Sequence, residues 1–194
     1  MAARIGRGSL LSLEAYARER NAFRARVIEH KKRRTVPLGD HVTLIFEDEL
    51  TVRYQIQEML RIERIFEEAG IEDELEAYNP LVPDGSNLKA TMMIEYPDVA
   101  ERQRSLARLK GIEDRAWVQV EGGERVYAIA DEDLERENEE KTSAVHFLRF
   151  ELDQEMRKAL RHGGGLAMGI DHPHYQASVE AVPEIRTALV ADLA

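Results

Sequence analysis

The amino-acid sequence predicts an α+β protein built around a mostly antiparallel mixed sheet. Segments rich in β-branched and aromatic residues alternate with amphipathic helical segments along most of the chain. A Gly-Gly pair at 122–123 separates two short strand segments, as in a hairpin. From residue 88 to residue 151 the order strand, helix, strand, strand, helix, strand is the split βαβ order of ferredoxin-like sandwiches. We therefore expect a ferredoxin-like sheet over 88–151, covered by helices.

The N-terminal part of the chain, residues 10–80, is predicted to be largely helical with one strand. Apolar residues recur there at intervals of three and four, which is the period of an amphipathic helix. Gly70 suits the position after the longest helix, because glycine adopts the left-handed conformation at little cost. The predicted helices cover 10–34, 50–70 and 72–78, and the predicted strand covers 41–48.

The second part, residues 88–171, is predicted to be rich in strands, and residues 176–194 to form a C-terminal helix or tail. Pro183 suits the first turn of that last helix, where its missing N–H costs nothing. All parts together have the length of one ordinary domain, 1–194. The predicted strands cover 88–96, 116–121, 125–130, 144–152 and 166–170, and the predicted helices cover 98–111, 131–139, 153–162 and 183–193.

The charge balance argues against two classes of partner. The chain has 37 acidic and 27 basic residues, which gives a formal net charge of −10. General nucleic-acid binding requires a basic face that neutralises phosphates. An acidic surface is also repelled by anionic lipid headgroups. We expect no nucleic-acid partner and no membrane partner, and the sequence leaves the oligomeric state open.

The chain contains no cysteine, which limits its metal chemistry. Disulfides, thiolate zinc sites and cysteine-ligated clusters are excluded, so any metal must be held by histidine and oxygen ligands. No glycine-rich phosphate loop or dinucleotide fingerprint is present, so a flavin or nicotinamide cofactor is not expected. No apolar run approaches the roughly 20 residues that span a bilayer, and the first residues lack the apolar core of a signal peptide. The expected location is therefore cytoplasmic.

The first candidate metal ligands lie in "GIDHPHY" (169–175) and in the strand 144–152. A histidine at position 146 shares a strand face with apolar residues, so a buried structural histidine is one interpretation. In the other, His146 and His172 converge with Asp171 on Fe(II), Mn(II) or Zn(II), which accept imidazole and carboxylate ligands. Convergence would follow if 144–152 and 166–170 pair as neighbouring strands. A polar turn is the alternative for Asp171 and His172.

Two carboxylates of the long helix are further candidates. Glu63 falls inside an apolar stripe of that helix, and Glu58 lies on the edge of the stripe. A carboxylate on an apolar face must be paired, protonated or bound to a cation. An ion pair with one of the many arginines nearby is one interpretation, and a metal ligand or acid–base group is the other.

Two segments of opposite charge could dock a partner protein. Residues 18–34 contain eight Lys or Arg against two Glu, and residues 131–140 contain seven acids. The basic run also suits the negative end of a helix dipole, and the acidic run suits a solvated helix. Electrostatic docking of a redox partner is the functional alternative. Binding of a small ligand between the sheet and the long helix is a third interpretation, with no motif behind it.

Several blocks of the sequence resemble an uncharacterised bacterial family that is classed as a domain of unknown function. They include "TVRYQIQEMLRIERIFEEAGI", "YNPLVPDGSNLKATMMIEYPD", "EKTSAVHFLRFEL" and "GIDHPHY", and the resemblance covers most of residues 10–175. Members are sometimes encoded near rubrerythrin-like and iron–sulfur oxidoreductase proteins. The resemblance implies a setting in redox or peroxide-stress metabolism, and it favours His172 over His174 as the retained histidine. It implies no particular activity.

Two functions are therefore expected as alternatives. The first is a metal-binding protein, with His146, His172, Asp171, Glu58 and Glu63 as candidate ligands for a first-row divalent metal. The second is a non-catalytic accessory subunit that docks on a redox protein.

Overall fold

The computed structural model describes residues 4–133, 136–138 and 140–194. Helices and strands alternate along this part of the chain, and the predicted α+β class is confirmed. The helices are α1 Leu13–Lys31, α2 Glu49–Glu63, α3 Glu68–Tyr78, α4 Val99–Arg108, α5 Gln154–Arg161 and α6 Pro183–Val190. The strands are β1 Thr35–Leu38, β2 Val42–Phe46, β3 Asn87–Ile94, β4 Ala116–Val120, β5 Arg125–Tyr127, β6 Ile129–Ala130, β7 Val145–Glu151, β8 Leu166–His172 and β9 Tyr175–Glu180.

The strands form two antiparallel sheets that share one apolar core. The first sheet has the order β1-β2-β3-β7-β6, and the second has the order β5-β4-β8-β9. Side chains alternate along each strand, so every second residue faces the core. Val42, Leu44 and Phe46 of β2 are buried, as the sequence pattern predicts. Residues of β4 and β8 from the second sheet belong to the same buried cluster.

The ferredoxin-like order predicted for 88–151 is wrong in its pairing. β4 and β5 leave the first sheet and join the second, where β4 pairs with β8. The predicted neighbours β7 and β8 therefore lie in different sheets. Dividing the strands lets both sheets bury one face against a common core. Of the predicted helix 131–139, residues 131–133 and 136–138 are not helical, and residues 134, 135 and 139 lie outside the described residues.

Two edge strands were not predicted. β1 contains Pro37, whose side chain points to solvent, and proline is tolerated there because an edge strand leaves some N–H groups unpaired. β9 follows β8 through a two-residue turn at Pro173 and His174, with His172 opposite Tyr175. Most of β9 is exposed, so it lacks the apolar alternation that identifies a buried strand.

A second, smaller apolar cluster lies among the N-terminal helices. α2 and α3 contribute most of it, including Val52, Ile56 and Leu75. α2 begins with a capping box in which Asp48 and Thr51 exchange hydrogen bonds. Across the described residues, none of the helices combines the length and apolarity required to cross a bilayer.

The predicted helix 50–70 is broken at Arg64 instead of ending at Gly70. Arg64 has a φ of 55° and closes α2 in the left-handed conformation that glycine usually supplies. Gly70 lies inside α3, where a Cβ atom would come within 2.8 Å of the Ile65 side chain. Glycine at position 70 thus permits the close approach of α3 to the turn before it. Phe66 lies in this turn and is 73% exposed.

We expect Arg64→Gly to stabilise the protein. A left-handed non-glycine residue is strained, and relief of this strain exceeds the entropy that glycine loses on folding, for a net gain of about 0.5 kcal/mol. The gain is measured as the change in the free energy of urea unfolding. Arg61→Gly, in the regular part of α2, is the control and should lose about 1 kcal/mol from helix propensity, in addition to its exposed ion pair with Glu58. A loss of stability in Arg64→Gly would contradict the strain argument.

A buried arginine joins the C-terminal helix to the N-terminal helical part. Arg34 is 2% exposed and binds both carboxylate oxygens of Asp192, at 2.6 and 2.9 Å. Its Nε atom lies 3.0 Å from Asp48, the N-cap of α2. The same guanidinium donates to the Ala188 carbonyl at the end of α6. One side chain therefore connects the segment after α1, the start of α2 and the C-terminal helix.

Arg34→Gln should destabilise the protein by about 3–5 kcal/mol, because two carboxylates lose the cation that compensates their burial. Urea unfolding at neutral pH measures the loss. Arg33→Gln, at the exposed neighbouring position, is the matched control and should change stability by less than about 0.5 kcal/mol. Equal stability of the two variants would show that the Arg34 contacts do not support the fold.

Candidate metal centre

His146 lies on the core face of β7 and is fully buried. Its Nδ1 atom lies 2.6 Å from Oδ2 of Asp131. On the other side of the ring, Nε2 lies 3.0 Å from the Thr142 hydroxyl and 3.0 Å from the Ser143 carbonyl. Both ring nitrogens are therefore directed at oxygen atoms inside the protein.

Asp131 is held in place by the strand beside it. It follows β6 with a φ of 48°, and its backbone N–H donates to the Phe147 carbonyl at 2.8 Å. Its Oδ1 atom accepts from the Phe147 N–H at 2.9 Å, which leaves Oδ2 for His146. Arg136 Nε lies 3.1 Å from Oδ1 in an ion pair that lacks hydrogen-bond alignment. The carboxylate is thus fixed by backbone and by charge.

Glu113 approaches the same imidazole from a short 3₁₀ helix, Ile112–Arg115. Its Oε2 atom lies 3.8 Å from His146 Nε2 and accepts from the Thr142 hydroxyl at 3.4 Å. Glu113 is buried, and this burial raises the pKa of its carboxyl group above the ordinary value. Among the residues that the structure describes, no Lys or Arg forms an ion pair with Glu113.

The two sides of the imidazole differ in what they can bind. Atoms that share a metal ion with bonds of about 2.1 Å lie roughly 3–4 Å apart. The 2.6 Å separation of Nδ1 and Asp131 is shorter and is that of a charge-assisted hydrogen bond. Around Nε2, the 3.8 Å separation from Glu113 falls within the metal range, and the 3.0 Å separations from Thr142 and Ser143 suit either a hydrogen bond or a shared metal ion. The geometry thus resembles a histidine that is oriented by one carboxylate and faces a cation with its other nitrogen.

His172 does not join this group. It is 6% exposed on β8, and Nε2 lies 2.9 Å from the Lys110 carbonyl. The backbone N–H of His174 donates to Nδ1 at 3.2 Å, so the ring proton lies on Nε2. Both nitrogens of His172 are therefore used by backbone groups, one in the hairpin turn and one in the segment after α4.

Asp171 points to the opposite face of β8. The Tyr127 hydroxyl donates to its Oδ2 atom at 2.5 Å, and Arg125 lies 3.3 Å from the same oxygen. Successive residues of a strand face opposite sides of the sheet, so Asp171 and His172 are kept apart. The "GIDHPHY" segment is the end of one strand, a two-residue turn and the start of the next.

Glu58 lies in an ion-pair network on α2. Arg20 binds it through two nitrogens, at 2.7 and 3.1 Å, and the Tyr16 hydroxyl donates to it at 2.7 Å. The hydrogen bonds from Arg20 are the main reason that the pKa of Glu58 falls from 4.5 to about 2. Glu63 is exposed because it is the last residue of α2, so the predicted apolar stripe does not continue past it to Phe66.

Of the five sequence candidates, only His146 belongs to the group that the structure brings together. Among the described residues, the three side chains of Glu113, Asp131 and His146 place ligand atoms within 4.8 Å of one another. Glu113 and Asp131 were missed because each lies in a charged segment that a solvated turn or helix explains equally well. The basic segment 18–34 is partly paired within the chain, since Arg18, Arg20, Lys32 and Arg34 all contact carboxylates.

The fold and the site define a class of protein: an α+β protein with two antiparallel sheets and a buried group of His, Asp and Glu side chains that could hold a metal ion. The chain belongs to the family described as protein of unknown function (DUF3501), whose model matches residues 4–193. The resemblance to an uncharacterised family is thereby confirmed.

The chain is also similar to a solved structure, that of a novel protein of unknown function from Burkholderia pseudomallei K96243. The two sequences are 57% identical, and the match covers 98% of this chain and 100% of that chain with a TM-score of 0.94. No curated protein matches the chain.

The Glu58 network predicts a specific pH dependence. Since the folded pKa lies below the ordinary value of 4.5, the stabilisation is complete above pH 4.5 and is lost as the pH falls towards 2. Glu58→Gln should therefore lose less stability than the wild type between pH 5 and pH 2, by about 1–2 kcal/mol after allowance for solvent screening. Urea unfolding at each pH measures the difference.

Glu63→Gln is the matched control for this prediction, because Glu63 is an exposed carboxylate of the same helix. Its stability should follow the wild type within about 0.5 kcal/mol at every pH. Parallel curves for Glu58→Gln and the wild type would contradict the role given to Arg20.

Proposed function

We propose that the protein binds a first-row divalent metal ion through His146 and Glu113, with Asp131 orienting the imidazole. The observation that carries the proposal is the buried arrangement itself: ligand atoms of one histidine and two carboxylates lie within 4.8 Å of one another. The proposal keeps His146 from the sequence candidates and adds Glu113 and Asp131.

The charge around the imidazole supports a cation at this place. Asp131 has Arg136 as its counter-ion, whereas among the described residues the ion-pair distance recorded for Glu113 is the one to the ring of His146, 3.8 Å. Burying a carboxylate costs several kcal/mol unless a cation or a proton compensates it. A divalent ion between Nε2 and Oε2 would supply that compensation more fully than an imidazolium.

The donor set favours Fe(II), Mn(II) or Zn(II). One imidazole and one carboxylate are supplemented by the Thr142 hydroxyl and the Ser143 carbonyl, both 3.0 Å from Nε2. Mixed nitrogen and oxygen donors suit these ions, and the chain has no thiolate that would select a softer metal. Asp131 would act as the outer carboxylate that fixes the histidine tautomer, a common arrangement at such centres.

Iron or manganese would also fit the redox or peroxide-stress setting that the family resemblance implies. In that setting the exposed cations of α1, such as Arg24 and Arg26, would dock an acidic redox partner. The absence of cysteine supports the cytoplasm as the proposed location, since reducing compartments do not rely on disulfides.

The test is metal analysis of untagged protein together with thermal unfolding. Wild-type protein should contain iron, manganese or zinc in stoichiometric amount. After chelation it should regain stability when one of these ions is added, by about 2.7 kcal/mol at a free concentration a hundredfold above Kd. Glu113→Gln retains the size of the side chain and should lose the bound metal.

His172→Asn is the matched control, because His172 is a buried histidine whose hydrogen bonds, within the described part of the chain, go to backbone atoms. It should retain the metal of the wild type, and circular dichroism should show that both variants are folded. Metal-free wild type whose melting temperature does not respond to any of the three ions would refute the proposal. Loss of metal in His172→Asn with retention in Glu113→Gln would refute it as well.

A further inference from the structure

A cleft of about 600 Å³ lies on the face of the first sheet opposite to His146. α2, α3 and the segment after α3 form one wall, and β3 and β7 with the segment after β6 form the other. Met59, Tyr78, Leu81 and Phe147 give the cleft an apolar surface. A volume of this size is typical of sites for small organic molecules.

The arginines of the cleft are already paired with carboxylates of the chain. Arg149 binds Glu132 through two nitrogens at 2.8 Å and Glu151 at 2.5 Å. Arg136 pairs with Asp133 and Asp131 and lies over the Phe147 ring, 4.6 Å from its centroid. These guanidinium groups shape the cleft, but their charges are compensated internally.

Lys89 is the cation of the cleft that lacks such a partner. Its ammonium group donates to the Pro80 carbonyl, and within the described part of the chain it forms no ion pair. Partial burial lowers the pKa of Lys89, and the charge of Arg149 adds to this effect, whereas the charges of Asp84 and Glu132 act in the opposite direction. An ammonium group has three donors, so two remain for a ligand.

Glu74 is the corresponding carboxylate on the wall formed by α3. It is partly buried and, among the residues that the structure describes, it has no hydrogen bond or ion pair with a cation. Burial raises the pKa of Glu74, and the carboxylates Glu63 and Asp73 add to this effect. The cleft therefore presents one unpaired cation and one unpaired anion beside an apolar surface.

We propose that this cleft binds a small zwitterion with an apolar body, in which a carboxylate contacts Lys89 and an ammonium group contacts Glu74. The apolar body would pack against Met59, Tyr78 and Phe147. A ligand with only one charge would satisfy one group and leave the other desolvated, so both charges are required for full affinity. This function is separate from the metal proposal, because none of these five residues belongs to the buried group.

Two zwitterionic probes test the proposal, L-phenylalanine with adjacent charges and para-aminomethylbenzoate with separated charges. Calorimetric titration of the full chain should show saturable binding of at least one of them. Each zwitterion that binds is then compared with two analogues that lack one of its charges. For para-aminomethylbenzoate these are para-toluate and para-methylbenzylamine, and for L-phenylalanine they are 3-phenylpropanoate and phenethylamine. Each analogue should bind at least about tenfold more weakly than its parent zwitterion. Lys89→Met and Glu74→Gln should each lower the affinity for the zwitterion by about tenfold or more.

Lys158→Met and Glu76→Gln are the matched controls, since both residues are exposed and lie outside the cleft. They should bind the zwitterion as the wild type does. Absence of binding by both zwitterions to the folded wild type would overturn the proposal. It would also be overturned if the single-charge analogues bound equally well, or if Lys89→Met and Glu74→Gln left the affinity unchanged. Glu113→Gln should bind the probe normally, so failure of the metal proposal would leave this result untouched.

Discussion

The architecture depends on the crossing from β5 to β6, where the chain passes directly from the second sheet to the first. Ala128 still donates to the Ala116 carbonyl of β4 at 2.9 Å, and the next residue already belongs to β6 in the first sheet. A strand that changes sheets closes a corner of the sandwich and joins the two apolar faces. Three residues after Ala128, Asp131 bonds to the backbone of Phe147 and to the ring of His146. The candidate metal centre is therefore a direct product of this crossing.

Arg34 plays a comparable part at the other end of the molecule. The two apolar clusters lie in different regions, one between the sheets and one among the N-terminal helices. The Arg34 guanidinium bonds to Asp192 beyond α6 and lies beside Asp48 at the start of α2, so it links elements that pack on different clusters. A buried ion pair of this kind fixes the relative position of elements more than it adds to stability, because the desolvation of both charges offsets much of the attraction.

Local patterns predicted most of the elements but could not predict their pairing. The alternation in β2 and the capping residues of the helices act over a few residues, and their positions are close to those expected. The break at Arg64 was missed because no glycine or proline marks it, and β9 was missed because it is an exposed edge. The composition of the site depends on how the strands pair. His146 is a candidate from its position in a strand, whereas Glu113 and Asp131 lie 33 and 15 residues before it in the sequence and reach it only in the folded chain.

The candidate metal centre and the cleft lie on opposite faces of one strand, and this placement follows from the period of β structure. In β7, His146 faces the shared core while Phe147 faces the cleft. Arg136 lies between them, since it pairs with Asp131 and covers the Phe147 ring. A change at Arg136 would disturb both sites at once and could not separate their functions. Lys89 and Glu74 line the cleft and are not members of the buried group, whereas Glu113 belongs to that group and does not line the cleft, so the two functions can be tested independently at these residues.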